Sequence, residues 1–209
     1  MSTEVVIRRL EISDLKAVAE VHSRAFPDSA LTRLGLEAVR RYYEWQLTGP
    51  HQVTPLGAFT GERLVGFCFG GRFQGALNGF LRKNRSYLLG QVLRKPWLLA
   101  NPLFRDRAIA GLKNLFRRKR VREVAVPVTG KVYPFGILSI AVDPQGQGKG
   151  VGRALMAVSE EAARQQGFRE MILTVHPDNE PAVRFYQSLN WHPVQENGFW
   201  KGEMRKELL

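Results

Sequence analysis

Cysteine occurs once in this chain of 209 residues, at Cys68, so no intrachain disulfide can form and no cysteine-rich metal site can be built. The four histidines, His22, His51, His176 and His192, fall at spacings that match no zinc pattern, and no metal is expected. Long apolar runs are missing too. Nothing approaches the roughly eighteen residues of a membrane span, and residues 1–10 hold Glu4, Arg8 and Arg9 where a signal peptide would need an apolar core. A reducing, cytosolic setting is the expectation. Acids are scarce in one window only. Between residues 72 and 130 fourteen Lys and Arg face two acids, Asp106 and Glu123, so this window carries the whole net charge of +12 and the remainder is neutral. That distribution implies a single domain over residues 1–209 with a basic insertion at about 72–130.

The remaining pattern reads as alternating strands and helices. Residues 5–10 form a first strand, and Ser13-Asp14 caps a helix whose apolar positions Leu15, Val18, Ala19, Val21 and Phe26 recur at helical spacing. A second helix is predicted over 31–47, after the loop signal Pro27-Asp28-Ser29. Strands over 54–60 and 63–70, joined at Gly61-Glu62, make an antiparallel hairpin. The insertion should contain helices broken at Lys95-Pro96 and Asn101-Pro102. Residues 135–142 are a strongly apolar strand stopped by Pro144, followed by a glycine-rich turn, a helix over 151–166 and a strand over 170–175. Pro181 opens a short helix to residue 189, and strands near 193–195 and 199–208 close the chain. The result is a mixed α/β sheet with helices on both faces.

The glycine-rich turn, Asp143 to Arg153, lies between an apolar strand and an amphipathic helix. There a phosphate can meet unpaired backbone N–H groups and the positive end of the helix. A Walker loop is excluded because Lys149 is followed by Gly150 rather than Ser or Thr. The dinucleotide fingerprint is excluded because Val151 and Arg153 stand where its third glycine is needed. The spacing that fits is Gln-x-x-Gly-x-Gly, at Gln147, Gly150 and Gly152, and the downstream run Asn179-Glu180-Pro181-Ala182-Val183-Arg184-Phe185-Tyr186 sets an Asn and an Ala ahead of a Tyr.

In these two motifs the chain resembles the GNAT acyltransferase superfamily, strongly over residues 135–194 and by element order over residues 5–70. The resemblance implies a mostly antiparallel sheet splayed between its fourth and fifth strands, with acetyl-CoA or another acyl-CoA as co-substrate. It also implies roles. The pyrophosphate would rest on Gln147, Gly148, Lys149, Gly150, Val151, Gly152 and Arg153, and a backbone N–H near Val142 would polarise the thioester carbonyl. Tyr186 would protonate the departing sulfur, and Asn179 would contact CoA or cap its helix. The sequence departs from the family's pattern at Asn190-Trp191, where Gly and Phe are usual, and in the insertion.

The base is not fixed by these motifs. His176 has a suitable unperturbed pKa and lies at a sheet end, and Ser139 and Asp28 are alternatives. Cys68 reads as a small buried strand residue, so direct transfer to an amine acceptor in a ternary complex is expected. A CoA-binding module without turnover is the competing reading, and Tyr186 argues against it. For the insertion, an added core lobe competes with contact to an anionic acceptor, to an anionic membrane surface or, less well, to nucleic acid through Arg117, Arg118, Lys119 and Arg120. Its apolar content, from Leu88 through Trp97 to Phe116, exceeds what nucleic-acid binding explains.

Overall fold

Along the strand Arg63–Arg72, Phe67 and Phe69 turn to one face and Cys68 to the other, and all three are fully buried. A strand covered on both faces has to be central. The computed structural model, which describes residues 4–95, 134–196 and 198–208, has it third in a seven-stranded sheet. The strands are β1 Val5–Arg9, β2 Gln52–Thr60, β3 Arg63–Arg72, β4 Phe135–Val142, β5 Glu170–Thr174, β6 His192–Glu196 and β7 Phe199–Glu207, in the order β1-β2-β3-β4-β5-β7-β6. Every neighbouring pair is antiparallel except β4 and β5.

Among the described residues the helices are α1 Leu15–Ala25, α2 Ala30–Leu34, α3 Leu36–Thr48, α4 Ala76–Lys83, α5 Arg85–Arg94, α6 Val151–Gln165 and α7 Glu180–Gln187. On one face Leu15 and Val18 of α1 and Val39 and Tyr43 of α3 pack with Phe67, Phe69 and Ala141. On the other, Val151 and Leu155 of α6 and Tyr186 of α7 pack with Cys68, Phe135 and Ile137. Helices thus cover both faces, as the alternation of apolar residues requires.

Two expectations need correction. The helix read over 31–47 is two helices, because Gly35 has φ 110°, which ends α2 and starts α3 at a fresh angle. Asp14 does not cap α1 through its side chain. A 3-10 turn at Ile12–Asp14 precedes that helix, and the Asp14 carboxylate instead accepts the Glu11 N–H at 2.8 Å and pairs with Arg8.

The insertion begins as helix. Phe80 of α4 sets its ring edge-on to Tyr42 of α3, with centroids 5.3 Å apart. Lys95, just past α5, donates to the carbonyls of Arg33 and Leu34 at 3.4 Å each and so caps α2. The break at Asn101-Pro102, the stripe Phe104, Ala108, Leu112, Leu115 and Phe116, and the basic run Arg117 to Arg120 lie outside the described residues. Among the described residues no helix is long and apolar enough to cross a membrane, and no group of three or more His, Cys, Asp or Glu gathers to hold a metal ion.

Candidate active site

β4 and β5 pair at only three positions, Phe135 with Met171, Gly136 with Ile172 and Ile137 with Leu173. Beyond Ile137, β4 runs on to Val142 without β5 beside it. The parting coincides with a bulge: Gly70 faces Ile137 and Phe69 faces Ser139, which leaves Leu138 with no residue opposite. An extra residue bends and twists its strand, here at the point where the edge opens. Asp143 donates its N–H back to Val65 on β3 at 2.9 Å. Since backbone groups alternate sides along a strand, Ile140 and Val142 turn theirs toward the opening. The side-chain amide of Gln147 reaches the Val142 carbonyl there at 3.3 Å.

The glycine-rich turn closes the upper end of this opening. Gly148 and Gly150 have φ 75° and 80°, and a Cβ on either would meet no heavy atom within 4 Å. The left-handed backbone and the bare space together leave a shallow cradle of amides. The first internal bond of α6 runs from Ala154 N–H to Gly150 O at 3.0 Å, so the N–H groups of Val151, Gly152 and Arg153 are not used within the helix. Lys149 and Arg153 add exposed positive charge, and no acid lies between Gly146 and Ser159. Gly152 has another task. A Cβ there would stand 3.3 Å from Phe185 and 3.7 Å from Val142, so its bareness lets α6 start close to α7 and β4. The site suits a pyrophosphate.

Asp143 fixes where this turn begins. Its side chain is 1% exposed and accepts the Gln145 N–H at 3.1 Å, while Arg24 of α1 and Arg63 of β3 reach it at 3.0 and 3.3 Å. Burial alone would push its pKa up. The Gln145 N–H and the two guanidiniums outweigh that and hold the carboxyl below its ordinary range.

Tyr186 is buried in the core cluster that also holds Ile137 and Leu173, the last β4–β5 pair before the strands part, with Phe185 and Trp191 as its ring neighbours. Burial raises its pKa, so the phenol keeps its proton at neutral pH. Asn179 accepts the Ala182 N–H at 3.3 Å and caps α7. His176 lies beyond β5 with an exposed ring, its Nδ1 accepting the Asp178 N–H at 3.3 Å. Asp28 is exposed and paired with Arg33 at 3.1 Å. Cys68 is buried, its thiol pushed up to about 12 by burial, and it accepts a hydrogen bond from the Ser159 hydroxyl at 3.3 Å.

Ser139 is half-buried on the α1/α3 face of β4, at the bulge. Its Oγ lies 3.0 Å from the hydroxyl of Tyr43, which lies 2.9 Å from Nδ1 of His22. Burial lowers the pKa of His22 to about 4, so its ring is neutral at pH 7. Neither Tyr43 nor His22 stands out in the sequence, and Asp143 reads there only as the start of a turn. For His22 a signal does exist: it completes the buried stripe Leu15, Val18, Ala19, Val21 at helical spacing, and a buried histidine needs partners.

The sequence pattern of the acetyltransferase (GNAT) family matches residues 15–191. The mycothiol acetyltransferase of Kocuria rhizophila is 42% identical over 69 residues, which is 32% of this chain and 21% of that protein, so the match spans about a fifth of the relative's length. Solved structures align over nearly the whole chain. The PaiA N-acetyltransferase from Thermoplasma acidophilum, in complex with coenzyme A, has a TM-score of 0.57 at 15% identity, over 98% of this chain and 99% of that one. The putative acetyltransferase YncA from Salmonella typhimurium, with its cofactor acetyl-CoA, has a TM-score of 0.56 at 18% identity, over 98% and 94%. At such identities the likeness is one of fold. With the family pattern running from α1 to the end of the Tyr186 motif, the chain belongs to the acetyltransferase (GNAT) family.

Proposed function

We propose that the chain is an acetyl-CoA-dependent N-acetyltransferase that passes the acetyl group directly to an amine acceptor in a ternary complex. The observation that carries this reading is the open edge of β4, followed in the chain by the amide cradle of Gly148 to Gly152, with the protonated Tyr186 buried in the core cluster that holds the last β4–β5 pair, Ile137 and Leu173. Acetyl-CoA, once bound, supplies the activated acyl carbon. The amides of Gln147 to Gly152 hold its pyrophosphate, and the N–H of Val142 or Ile140 donates to the thioester carbonyl, where charge builds in the transition state. Tyr186 gives its proton to the departing sulfur. The buried, protonated thiol of Cys68 is unsuited to attack, which favours a single direct transfer. Calorimetry with acetyl-CoA tests the first half. Release of free CoA across aminosugars, amino acids, polyamines, protein amines and amines related to mycothiol tests the second. Binding without release for any amine would leave a CoA-binding module in its place.

A second reading concerns the insertion. Leu89 and Leu93, one turn apart on α5, are 49% and 81% exposed, with Arg85 and Arg94 at the ends of the same helix. Leucines rimmed by arginines suit an anionic membrane surface, and the charge of the insertion suits an anionic acceptor. Co-sedimentation with anionic but not neutral vesicles, weakened by salt, supports the membrane. No binding at low salt favours the acceptor.

A further inference from the structure

A chain of hydrogen bonds leads from Ser139 into the α1/α3 side of the molecule. The hydroxyls of Ser139 and Tyr43 are 3.0 Å apart, Tyr43 and His22 Nδ1 2.9 Å, and His22 Nε2 and Ser29 Oγ 3.3 Å. Ser29 then donates to Thr32 Oγ1 at 2.9 Å, and Thr32 donates to the Phe26 carbonyl at 2.8 Å. A carbonyl can only accept, so this end sets the direction of all the others. With the Thr32 proton on Phe26 O and the Ser29 proton on Thr32, Ser29 is left to accept, and His22 must present its proton on Nε2. A neutral ring then has a bare Nδ1, which takes the Tyr43 proton, and Tyr43 oxygen in turn takes that of Ser139. Only this sense makes all five bonds at once; the opposite one, with Tyr43 donating to Ser139, gives up the Ser29–Thr32 hydroxyl bond, and toward Thr32 Ser29 then keeps only the N–H at 3.0 Å. It leaves the Ser139 oxygen with a lone pair to accept, on a residue two positions past the last β4–β5 pair. Hydroxyl protons rotate freely, and a hydroxyl pair read in isolation would not fix this sense.

We infer that Ser139, Tyr43 and His22 form the proton-accepting side of the acyl transfer, Ser139 as the group that touches the acceptor nitrogen and Tyr43 and His22 as relay residues behind it. The inference rests on the acetyl transfer proposed above. As the amine nitrogen bonds to the acyl carbon and the C–S bond breaks, the nitrogen's proton moves to Ser139 oxygen, the Ser139 proton to Tyr43 and the Tyr43 proton to His22 Nδ1. Tyr186, on the opposite face of the sheet, supplies the proton for sulfur, so proton gain and proton loss occur on separate faces of β4. Burial keeps His22 uncharged at rest with Nδ1 free, and it disfavours the imidazolium, so His22 holds the proton only in passing and releases it through Nε2 and Ser29 toward the loop between α1 and α2.

The test has two arms on the full chain. In the first, an amine found to release CoA from acetyl-CoA is assayed with Tyr43→Phe, which removes one hydroxyl and keeps the ring. The expected result is a 10- to 100-fold fall in kcat with the calorimetric Kd for acetyl-CoA unchanged, and with Ser139→Thr retaining far more activity than Ser139→Ala. Rates in mixtures of H2O and D2O should curve with deuterium content in the wild type, as several protons in motion require, and become linear in Tyr43→Phe. Wild-type kcat in Tyr43→Phe, or a linear wild-type response, overturns the relay. The second arm needs no acceptor. Nitrogen NMR of 15N-histidine-labelled protein bound to acetyl-CoA should find His22 neutral at pH 7 with its proton on Nε2. A proton on Nδ1 overturns the relay even where turnover is seen, whereas failure of acetyl-CoA to bind overturns the functional reading instead.

Discussion

Arg24 brings both Nε and Nη2 to 3.0 Å from one oxygen of Asp143, and so ties the last turn of α1 to the first residue of the glycine-rich turn. Helix α1 and the glycine-rich turn therefore share a buried carboxylate. Asp143→Ala removes this link together with the cap on Gln145. Because the arginines are 45% and 59% exposed, solvent screens much of the pairing, and the expected loss is about 2 kcal/mol. In a chain of this size that lowers Tm by roughly 6 °C. Calorimetric melting measures it, and the Kd for acetyl-CoA should weaken in parallel. An unchanged melt with unchanged affinity would contradict this role.

Gly150→Asp tests the cradle. The space around a Cβ there is open, and Asp tolerates a left-handed backbone better than most residues, so the variant folds at a cost of about 1 kcal/mol. Its carboxylate meets the pyrophosphate. Affinity for acetyl-CoA should fall at least about tenfold by calorimetry, which corresponds to roughly 1.4 kcal/mol.

Tyr186→Phe separates binding from chemistry. The ring stays packed between Phe185 and Trp191, at 5.2 and 6.1 Å, so the fold and the Kd for acetyl-CoA should hold. Loss of the proton donor should lower kcat by roughly 10²-fold. Wild-type kcat would remove Tyr186 from the reaction.

His22 gives stability a signature in pH. Its pKa is depressed by burial from 6.5 to about 4, so between these values the unfolded chain binds more protons and stability falls as pH falls. The total is about 3 kcal/mol from pH 7 to pH 4. His51, whose pKa burial also lowers, adds in the same direction. Asp14, held down by its hydrogen bond to Arg8, loses its contribution only below its ordinary 3.8, so the two windows do not overlap. Urea titrations from pH 7 to 4 should show a shallower slope in His22→Gln than in the wild type.

The glycine-rich turn and the short helix that carry the proposed cofactor contacts were legible in the sequence because local spacing specifies them. Gln147, Gly150 and Gly152 must sit on one turn, and Tyr186 follows Asn179 on one helix. The strands β4 and β5 were legible for a similar reason, since each is a short apolar run bounded by turn residues. The relay was not. Ser139, Tyr43 and His22 come from β4, α3 and α1, with Tyr43 and Ser139 separated by 96 positions, and nothing in composition joins them until the sheet brings the helices together. The same holds for Asp143 and Arg24, 119 positions apart. The break at Gly35 was missed because apolar periodicity continues through it, whereas the backbone angle that breaks the helix leaves no periodic trace.

The chain leaves the sheet at Arg72 and returns at Phe135, and the residues just inside these points, Gly71 and Gly136, are partners in the β3–β4 ladder. The ends of whatever lies between are thus already held together by strand pairing, at the end of β4 remote from the glycine-rich turn. Doubling the length of such a connection costs only about 0.6 kcal/mol in closure entropy. Segments of very different size and charge can be exchanged at this junction without disturbing the glycine-rich turn. Under the proposed roles, what the inserted segment contacts and what the glycine-rich turn holds can diverge independently, with the ladder serving as a fixed socket between them.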